Sequence, residues 1–396
     1  MIGAPDSPPG PGAGKTLPEL SDREKRRYSR HLLLPQVGLE GQRKLKAARV
    51  LVVGTGGLGA PLSLYLAAAG VGLIGLLDFD LVEDSNLQRQ IVFGSRDVDR
   101  PKTAAARDRL LGLNPDVEIK THQVRLEAKN AEKIISGYDI VCDGADNFPT
   151  RYLVNDVCVF RKKPVVHASI YQFEGQATVF GAPGGPCYRC LYPAPPPPGL
   201  APSCGEGGVV GVLPGILGSL QASEAVKLIV GGAETLAGRL LLFDAWTARF
   251  TEVAVDKDPA CPVCGENPVV TEPVDYEGFC GLGGGLEEAG AEPIGADELK
   301  HRLEHGPAPQ VVDIREPHER ALYAFPGAAP VPFGQLVRRM GEFDPARDLV
   351  FICKVGRRSV FAIRSLRKAG YQGRAFNLTG GVDDWARVAG GPPVPY

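Results

Sequence analysis

The chain has 396 residues, of which 44% are hydrophobic and 23% charged, with 44 Lys and Arg against 46 Asp and Glu for a net charge of −2. Those values describe a globular chain with room for two or three domains and argue against an intrinsically disordered one. The charge balance gives no global pull toward nucleic acid, no run approaches the ~20 apolar residues of a membrane span, and the first residues lack an apolar stretch behind a basic start. The expectation is a cytoplasmic protein with no nucleic-acid or membrane partner. Nine cysteines, an odd number without an export signal, fit reduced thiols in such a compartment.

Residues 1–20 are rich in Pro and Gly and read as a flexible tail. The segment Gly10 to Thr16 mimics a phosphate loop, but position 9 is proline where that pattern needs glycine, and no apolar strand precedes it. Order begins at Ser21, whose spacing to Glu24 makes a capping box for a helix over DREKRRYSRHLLL. Arg49 to Val53 reads as a buried strand, followed by a glycine turn, a small-residue helix from Ala60 to Gly70 and a second strand from Leu73 to Leu77. A further helix is predicted over 101–112 and strands at 140–142 and 164–168, an alternation that implies a mostly parallel sheet covered on both faces. The stretch PAPPPPGLAP (193–202) reads as a semi-rigid crossover loop, and 278–290 as a glycine-rich linker. The last hundred residues carry their own strands, Gln310–Asp313 and Leu349–Cys353, enough for a second small α/β domain. The resulting division is a tail (1–20), a first domain (21–272), a linker (273–290) and a second domain (291–396).

Gly54-x-Gly56-x-x-Gly59 follows the first strand and opens a helix, which is the pattern of a dinucleotide-binding turn. Asp78, 24 positions after Gly54, stands where a carboxylate would accept a ribose hydroxyl. A nicotinamide or flavin enzyme, or a glycine turn with no ligand, is open at this point. The next residues turn the reading elsewhere. Ser85, Asn86, Leu87, Gln88 and Arg89 form a polar run past the strand, and Lys102 begins the next helix. Two cations near the phosphates suit attack at an α-phosphate, where negative charge builds, and hydride transfer has no use for them. Asp146 could hold a magnesium ion.

Cys187-x-x-Cys190 and Cys261-x-x-Cys264 each turn two thiolates toward one ion, and together they supply a tetrahedral Cys₄ zinc set. They are 71 positions apart, against ~15–20 in a compact zinc ribbon, so zinc would staple distant parts of one domain. A redox CxxC is the competing reading, disfavoured because neither pair is expected to open a helix after a strand. Cys204 lies on a small-residue segment after the proline loop and is either a reactive thiol or a spare surface one. Cys142 and Cys158 fall in apolar patterns and read as core; Cys280 receives no role.

The run RYSRHLLL, GTGGLG, LLDFD, SNLQRQ, PK and DGADN, in that order over 21–272, resembles the MoeB/ThiF branch of the E1-like activating enzymes. The resemblance implies ATP-dependent adenylation of the C-terminal glycine of a ubiquitin-like sulfur carrier ending in Gly-Gly. It implies that Gly57 and Asp78 contact the nucleotide, beside the loop of Gly54 and Gly56. Ser85 to Arg89 and Lys102 would line the phosphates, and Asp146 with Asn147 would complete a magnesium-ATP site. Arg30 would reach the partner subunit's site in a homodimer; taken alone it reads as a solvated helix charge. The resemblance also implies structural zinc at the four cysteines and a covalent link between Cys204 and the activated carrier.

Residues 291–396 resemble a single rhodanese domain, through Asp313-Ile-Arg315-Glu316, the loop Cys353-Lys-Val-Gly356-Arg-Arg358-Ser359 and Leu378-Thr-Gly-Gly381 followed by Trp385. A loop between a strand and a helix N-terminus is expected to aim several backbone amides at the sulfur, with Arg357 and Arg358 adding positive charge. Cys353 would carry a persulfide, loaded by a cysteine desulfurase or by thiosulfate. The five-position step from Cys353 to Arg358 leaves a cysteine phosphatase open on spacing alone. The combined expectation is adenylation followed by sulfur transfer to give a thiocarboxylate for molybdenum cofactor synthesis, or for thiamine, cysteine or tRNA-thiolation carriers. An oxidoreductase with a regulatory rhodanese unit and a non-enzymatic docking scaffold are the alternatives.

Overall fold

The structure, a computed structural model, describes residues 17–196, 207–280 and 290–395. The N-terminal tail to 16 with its phosphate-loop mimic, the proline-rich segment from 197, Cys204, and linker residues 281–289 lie outside the described residues. The described chain forms two compact units, one of residues 17–195 with 207–276 and one from 277 onward.

The first unit is built on strands β1 (Arg49–Val53), β2 (Leu73–Leu77), β3 (Glu118–His122), β4 (Ile140–Asp143), β5 (Val165–Tyr171), β6 (Glu174–Phe180), β7 (Arg239–Asp244) and β8 (Arg249–Ala254). Their order is β3-β2-β1-β4-β5-β6-β7-β8; the first five run parallel and β6, β7 and β8 antiparallel. The mostly parallel sheet is as expected, but the antiparallel extension was not read from the sequence. Strand β8 is exposed at every position, so no alternation marks it. The apolar run Val50–Val53 is buried on both faces, as a central parallel strand requires. Helix Gly59–Ala69 is apolar all round because it lies between the sheet and helix Leu213–Val230.

The Ser21–Glu24 capping box forms, with Ser21 Oγ accepting the Glu24 N–H at 3.2 Å and Glu24 Oε2 accepting the Ser21 N–H at 2.7 Å. The single helix expected there is divided, Asp22–Arg27 and Ser29–Leu32. The break is at Tyr28, which is drawn into the core with its hydroxyl accepting a hydrogen bond from Asn114 at 2.9 Å.

The second unit is a parallel sheet of β9 (Glu292–Ile294), β10 (Gln310–Asp313), β11 (Ala329–Pro330), β12 (Leu349–Ile352) and β13 (Ala375–Leu378), in the order β11-β10-β12-β13-β9. Alternation in β12 feeds two cores: Leu349 and Phe351 pack on one side with Ile363 and Leu366, and Val350 and Ile352 on the other with Phe376 and Trp385. No described helix is long and apolar enough to cross a membrane.

Candidate functional site

In an open parallel sheet, ligands gather at the carboxyl ends of the strands where the strand order reverses. Here that point lies between β1 and β4, with β2 on the other side of β1. Gly54 leaves β1 in the left-handed region (φ +83°), and its neighbour across the switch is the Gly144 carbonyl, 3.0 Å from where a Cβ would stand. At Gly59 a Cβ would fall 2.0 Å from the Gly54 carbonyl, so only glycine lets the helix start this close to the turn. The sequence pattern therefore has a backbone cause.

The buried carboxylate of Asp78 braces this turn. Its Oδ2 accepts the Thr55 N–H (2.9 Å) and hydroxyl (3.0 Å), and its Oδ1 accepts the Asp80 N–H (3.0 Å). Lys102, at the first position of helix Lys102–Leu113, is buried with Nζ 3.0 Å from Asp80 Oδ2. Thr55, Asp78, Asp80 and Lys102 thus form one bonded chain from the glycine turn to a buried cation. Asp80 ends the LLDFD run, and a second carboxylate two positions beyond Asp78 is the sequence signal for this link.

The polar run divides by direction. Leu87 packs on the core, and Asn86 is buried as a local cap, its Oδ1 accepting the Glu83 N–H at 3.4 Å. Ser85 and Gln88 are exposed, and Arg89 folds back so that Nη1 donates to the Ser85 carbonyl at 3.0 Å. Arg89 also adjoins Gly57: a Cβ there would stand 3.8 Å from Arg89 Cγ and 3.2 Å from Pro214. Across the switch, Asp146 and Asn147 are exposed on the loop after β4, Asn147 capping helix Phe148–Phe160 by accepting the Thr150 N–H at 3.0 Å. Arg30 is exposed on its short helix, and its side chain forms no hydrogen bond or ion pair among the described residues.

The four zinc-set cysteines, separated by 71 positions in sequence, converge. Their sulfurs lie within 4.8 Å of one another, with Cys187–Cys261 at 3.6 Å, Cys187–Cys190 at 3.9 Å and Cys190–Cys264 at 3.4 Å. A tetrahedron of sulfurs 2.3 Å from a central ion has edges of about 3.8 Å, and disulfide sulfurs stand at about 2.05 Å. The cluster has the dimensions of a cation cage. Burial pushes the Cys187 thiol up, and burial with Cys190 nearby pushes Cys264 to about 12. Such thiols ionise readily only when a divalent ion supplies the compensating charge. One expectation is corrected: Cys187 does open a helical turn, Tyr188–Leu191, after β6. The convergence of all four sulfurs, not the helix position, is what disfavours a redox pair.

The cage is tied to its surroundings by a buried salt bridge. Arg189, between the first two cysteines, donates Nε and Nη2 to Asp156 Oδ1 and Oδ2, both at 2.8 Å, and the Tyr276 hydroxyl joins Oδ2 at 3.0 Å. Cys142 and Cys158 are buried in the core, as expected.

In the second unit Cys353 follows β12 and is fully buried. The Gly356 N–H reaches its sulfur at 3.1 Å, in the direction expected of a loop that opens a helix. Gly356 lies at φ +85° and begins helix Arg357–Lys368. The glycine pair after β13 holds the loop from outside: Val382 N–H donates to the Cys353 carbonyl at 2.9 Å, and a Cβ on Gly381 would fall 2.3 Å from the Cys353 and Lys354 carbonyls. Arg357 is exposed. Arg358 does not add free positive charge, because its buried guanidinium pairs with Glu319, Nη1 to Oε2 at 2.9 Å. Burial alone would raise the Glu319 carboxyl, but the Arg358 hydrogen bonds and charge outweigh it and hold the group below its usual range. That commitment also removes the arginine a phosphatase reading needs. Arg315 is likewise spent on Asp313, Nε to Oδ1 at 2.9 Å, and on the Tyr323 carbonyl at 2.8 Å. Nothing in the sequence near Glu319 marks it as the partner of a residue 39 positions away.

The model of the ThiF family matches residues 28–263, and that of the rhodanese-like domain matches 295–388. The chain belongs to the ThiF family. Its ThiF unit is 54% identical over 261 residues to a sulfur carrier protein adenylyltransferase of Thermus thermophilus, which covers 65% of this chain and 96% of that protein. Both units align with a probable adenylyltransferase/sulfurtransferase, MoeZ, of Mycobacterium tuberculosis, 46% identical over 93% of this chain and 94% of the relative. They align also with the adenylyltransferase and sulfurtransferase MOCS3 of Drosophila ananassae, 39% identical over 96% and 87%. The ThiF-family chain is accordingly an enzyme of the adenylyltransferase/sulfurtransferase class. Among solved structures, Escherichia coli MccB with MccA-N7isoASN has the same fold over 62% of this chain and 76% of that one (TM-score 0.56, 24% identity).

Proposed function

We propose that this chain uses ATP to adenylate the C-terminal glycine of a ubiquitin-like sulfur carrier ending in Gly-Gly, then replaces the adenylate with sulfur from Cys353. The observation that supports this most is one chain, matched along its length by bifunctional relatives, that pairs a glycine turn and buried Lys102 with a thiol on a strand-to-helix loop. In the first step the carrier carboxylate attacks the α-phosphate and pyrophosphate leaves. Lys102 and Arg89 stabilise the charge that builds there. Gly54, Gly56, Gly57 and Asp78 seat the nucleotide, Ser85 to Gln88 border its phosphates, and Asp146 with Asn147 takes its magnesium ion. Arg30 completes the site of a partner protomer in a homodimer. The four cysteines fit zinc, which supplies a structural crosslink.

In the second step Cys353 takes a sulfane sulfur from thiosulfate, releasing sulfite, or from a cysteine desulfurase persulfide. The terminal sulfur attacks the acyl-adenylate carbonyl and AMP leaves. An external thiol then attacks the Cys353 sulfur, the thiocarboxylate departs and a disulfide remains; on the alternative route Cys204 first displaces AMP as a thioester, which the terminal sulfur then attacks, releasing the Cys204 thiol. The setting is the cytoplasm, and the pathway molybdenum cofactor synthesis, with thiamine, cysteine and tRNA carriers as the other clients of the same chemistry. The test is the intact mass of a Gly-Gly-tailed carrier incubated with the enzyme, magnesium-ATP and thiosulfate. Exchange of one oxygen for sulfur is expected. An adenylate alone would remove the sulfur route through Cys353, and an unmodified carrier in every case would remove the function.

A further inference from the structure

The loop bearing Asp146 and Asn147 hangs from Asp143, the last residue of β4, and Asp143 is held from three sides. Its carbonyl accepts a hydrogen bond from Gln221 Nε2 at 2.8 Å, its Oδ1 accepts the Ala145 N–H at 2.9 Å, and its Oδ2 lies 2.8 Å from His167 Nδ1. His167 stands directly across from it in the β4–β5 ladder. Both side chains are sealed from solvent, at 2% and 1% exposure. The imidazole is walled by Phe180 and Tyr188, with ring centroids 5.7 and 5.3 Å away, and its Nε2 is buried with no hydrogen-bond partner.

An aliphatic side chain would fill this space without leaving a ring nitrogen orphaned, so packing does not account for a histidine here. The carboxylate does. Sealed from water, Asp143 needs donors for both oxygens, and His167 supplies the one that the loop does not. Against the carboxylate Nδ1 is the donor, and Nε2 is left without a partner. The bond fixes the carboxylate so that Oδ1 faces the Ala145 amide, one residue before Asp146.

We propose that His167 is a positioning residue for the nucleotide site: by donating Nδ1–H to Asp143 it fixes the 144–147 loop, and with it the Asp146 carboxylate that takes the divalent cation. The proposal rests on the assignment of Asp146 made above. Groups of this kind, one bond removed from a metal ligand, typically change metal affinity or activity by 10–100-fold.

The test uses the full-length chain with His167→Ala, His167→Asn and His167→Gln. An asparagine amide nitrogen falls where Nδ1 sits, and a glutamine amide nitrogen falls where Nε2 sits, so only the first restores the bond to Asp143. The magnesium concentration for half-maximal carrier-dependent ATP–pyrophosphate exchange should rise roughly tenfold in the Ala and Gln variants and return to within about threefold in the Asn variant. Zinc content should stay at the wild-type value in the Asn and Gln variants, and the Asn variant should keep the wild-type melting temperature; if the Ala variant folds poorly, the Asn–Gln comparison decides alone. Amide hydrogen exchange over 144–147 in the nucleotide-free protein reads the loop directly, with faster exchange expected for Gln and wild-type protection for Asn. Equal behaviour of Asn and Gln, or unchanged protection in Gln, overturns the proposal. If wild type shows no pyrophosphate exchange while the loop responds as described, the adenylation reading fails and the positioning role stands.

Discussion

Two ion pairs, one with an exposed carboxylate and one buried on both sides, show how much a single residue's meaning depends on its partner. Lys102 was expected as a phosphate-facing cation, and it is held at the helix start by Asp80, itself bonded through Asp78 to the glycine turn. Replacing Lys102 with alanine should lower carrier-dependent ATP–pyrophosphate exchange by roughly 10²–10³-fold without lowering the melting temperature. Exchange at the wild-type rate would remove Lys102 from the reaction. Arg358, by contrast, was expected to electrify the Cys353 loop and instead balances Glu319. Glu319→Gln leaves that guanidinium buried without its counter-charge, a loss of roughly 3–5 kcal/mol in the rhodanese unit. The Glu319 carboxyl is held below its ordinary value of 4.5, so its contribution is complete above pH 4.5 and lost as pH falls through the lowered value. Wild type should therefore lose thermal stability through that acid window, and the Gln variant should show a flatter melting profile there.

At the scale of elements, the strand ends were legible because their chemistry is local. Gly59 and Gly381 are demanded by carbonyls that leave no room for a Cβ and Gly54 by its left-handed φ of +83°, and such demands appear as glycines at short, regular spacing. The antiparallel strands β6 to β8 and the break at Tyr28 were not legible. Strand β8 has no buried face, and Tyr28 is fixed by Asn114, which belongs to a distant helix end. The cysteine cage lies between these cases: each CxxC is a local signal, but its joining of two segments is a tertiary fact. Elemental analysis should find one zinc per chain, and Cys261→Ser should hold markedly less. Chelation should speed amide exchange around Cys187–Cys190 and 261–276, since the cage, Arg189–Asp156 and Tyr276 form one bonded assembly. Unchanged exchange after complete zinc removal would show that the cage carries no structural load.

For the whole molecule, two units with separate cores make separable effects the expectation. Calorimetry should resolve two transitions, with chelation lowering one and Glu319→Gln lowering the other. One transition shifted by both treatments would contradict independent cores. Function should separate in the same way. Cys353→Ala should keep pyrophosphate exchange at the wild-type rate while sulfur transfer from thiosulfate falls to background. The order of motifs along the chain already determined that a nucleotide site precedes a thiol site, because each is set by backbone requirements within a few residues. Which charges remain free was decided only by the folded chain, whereas the meeting of the four cysteines, expected from their two CxxC pairs, is realised there with the sulfurs within 4.8 Å of one another. Arg358 meets Glu319 across 39 positions, and Cys187 meets Cys261 across 74. The Arg358–Glu319 pairing follows from strand order and helix docking, and no local pattern in the sequence encodes it.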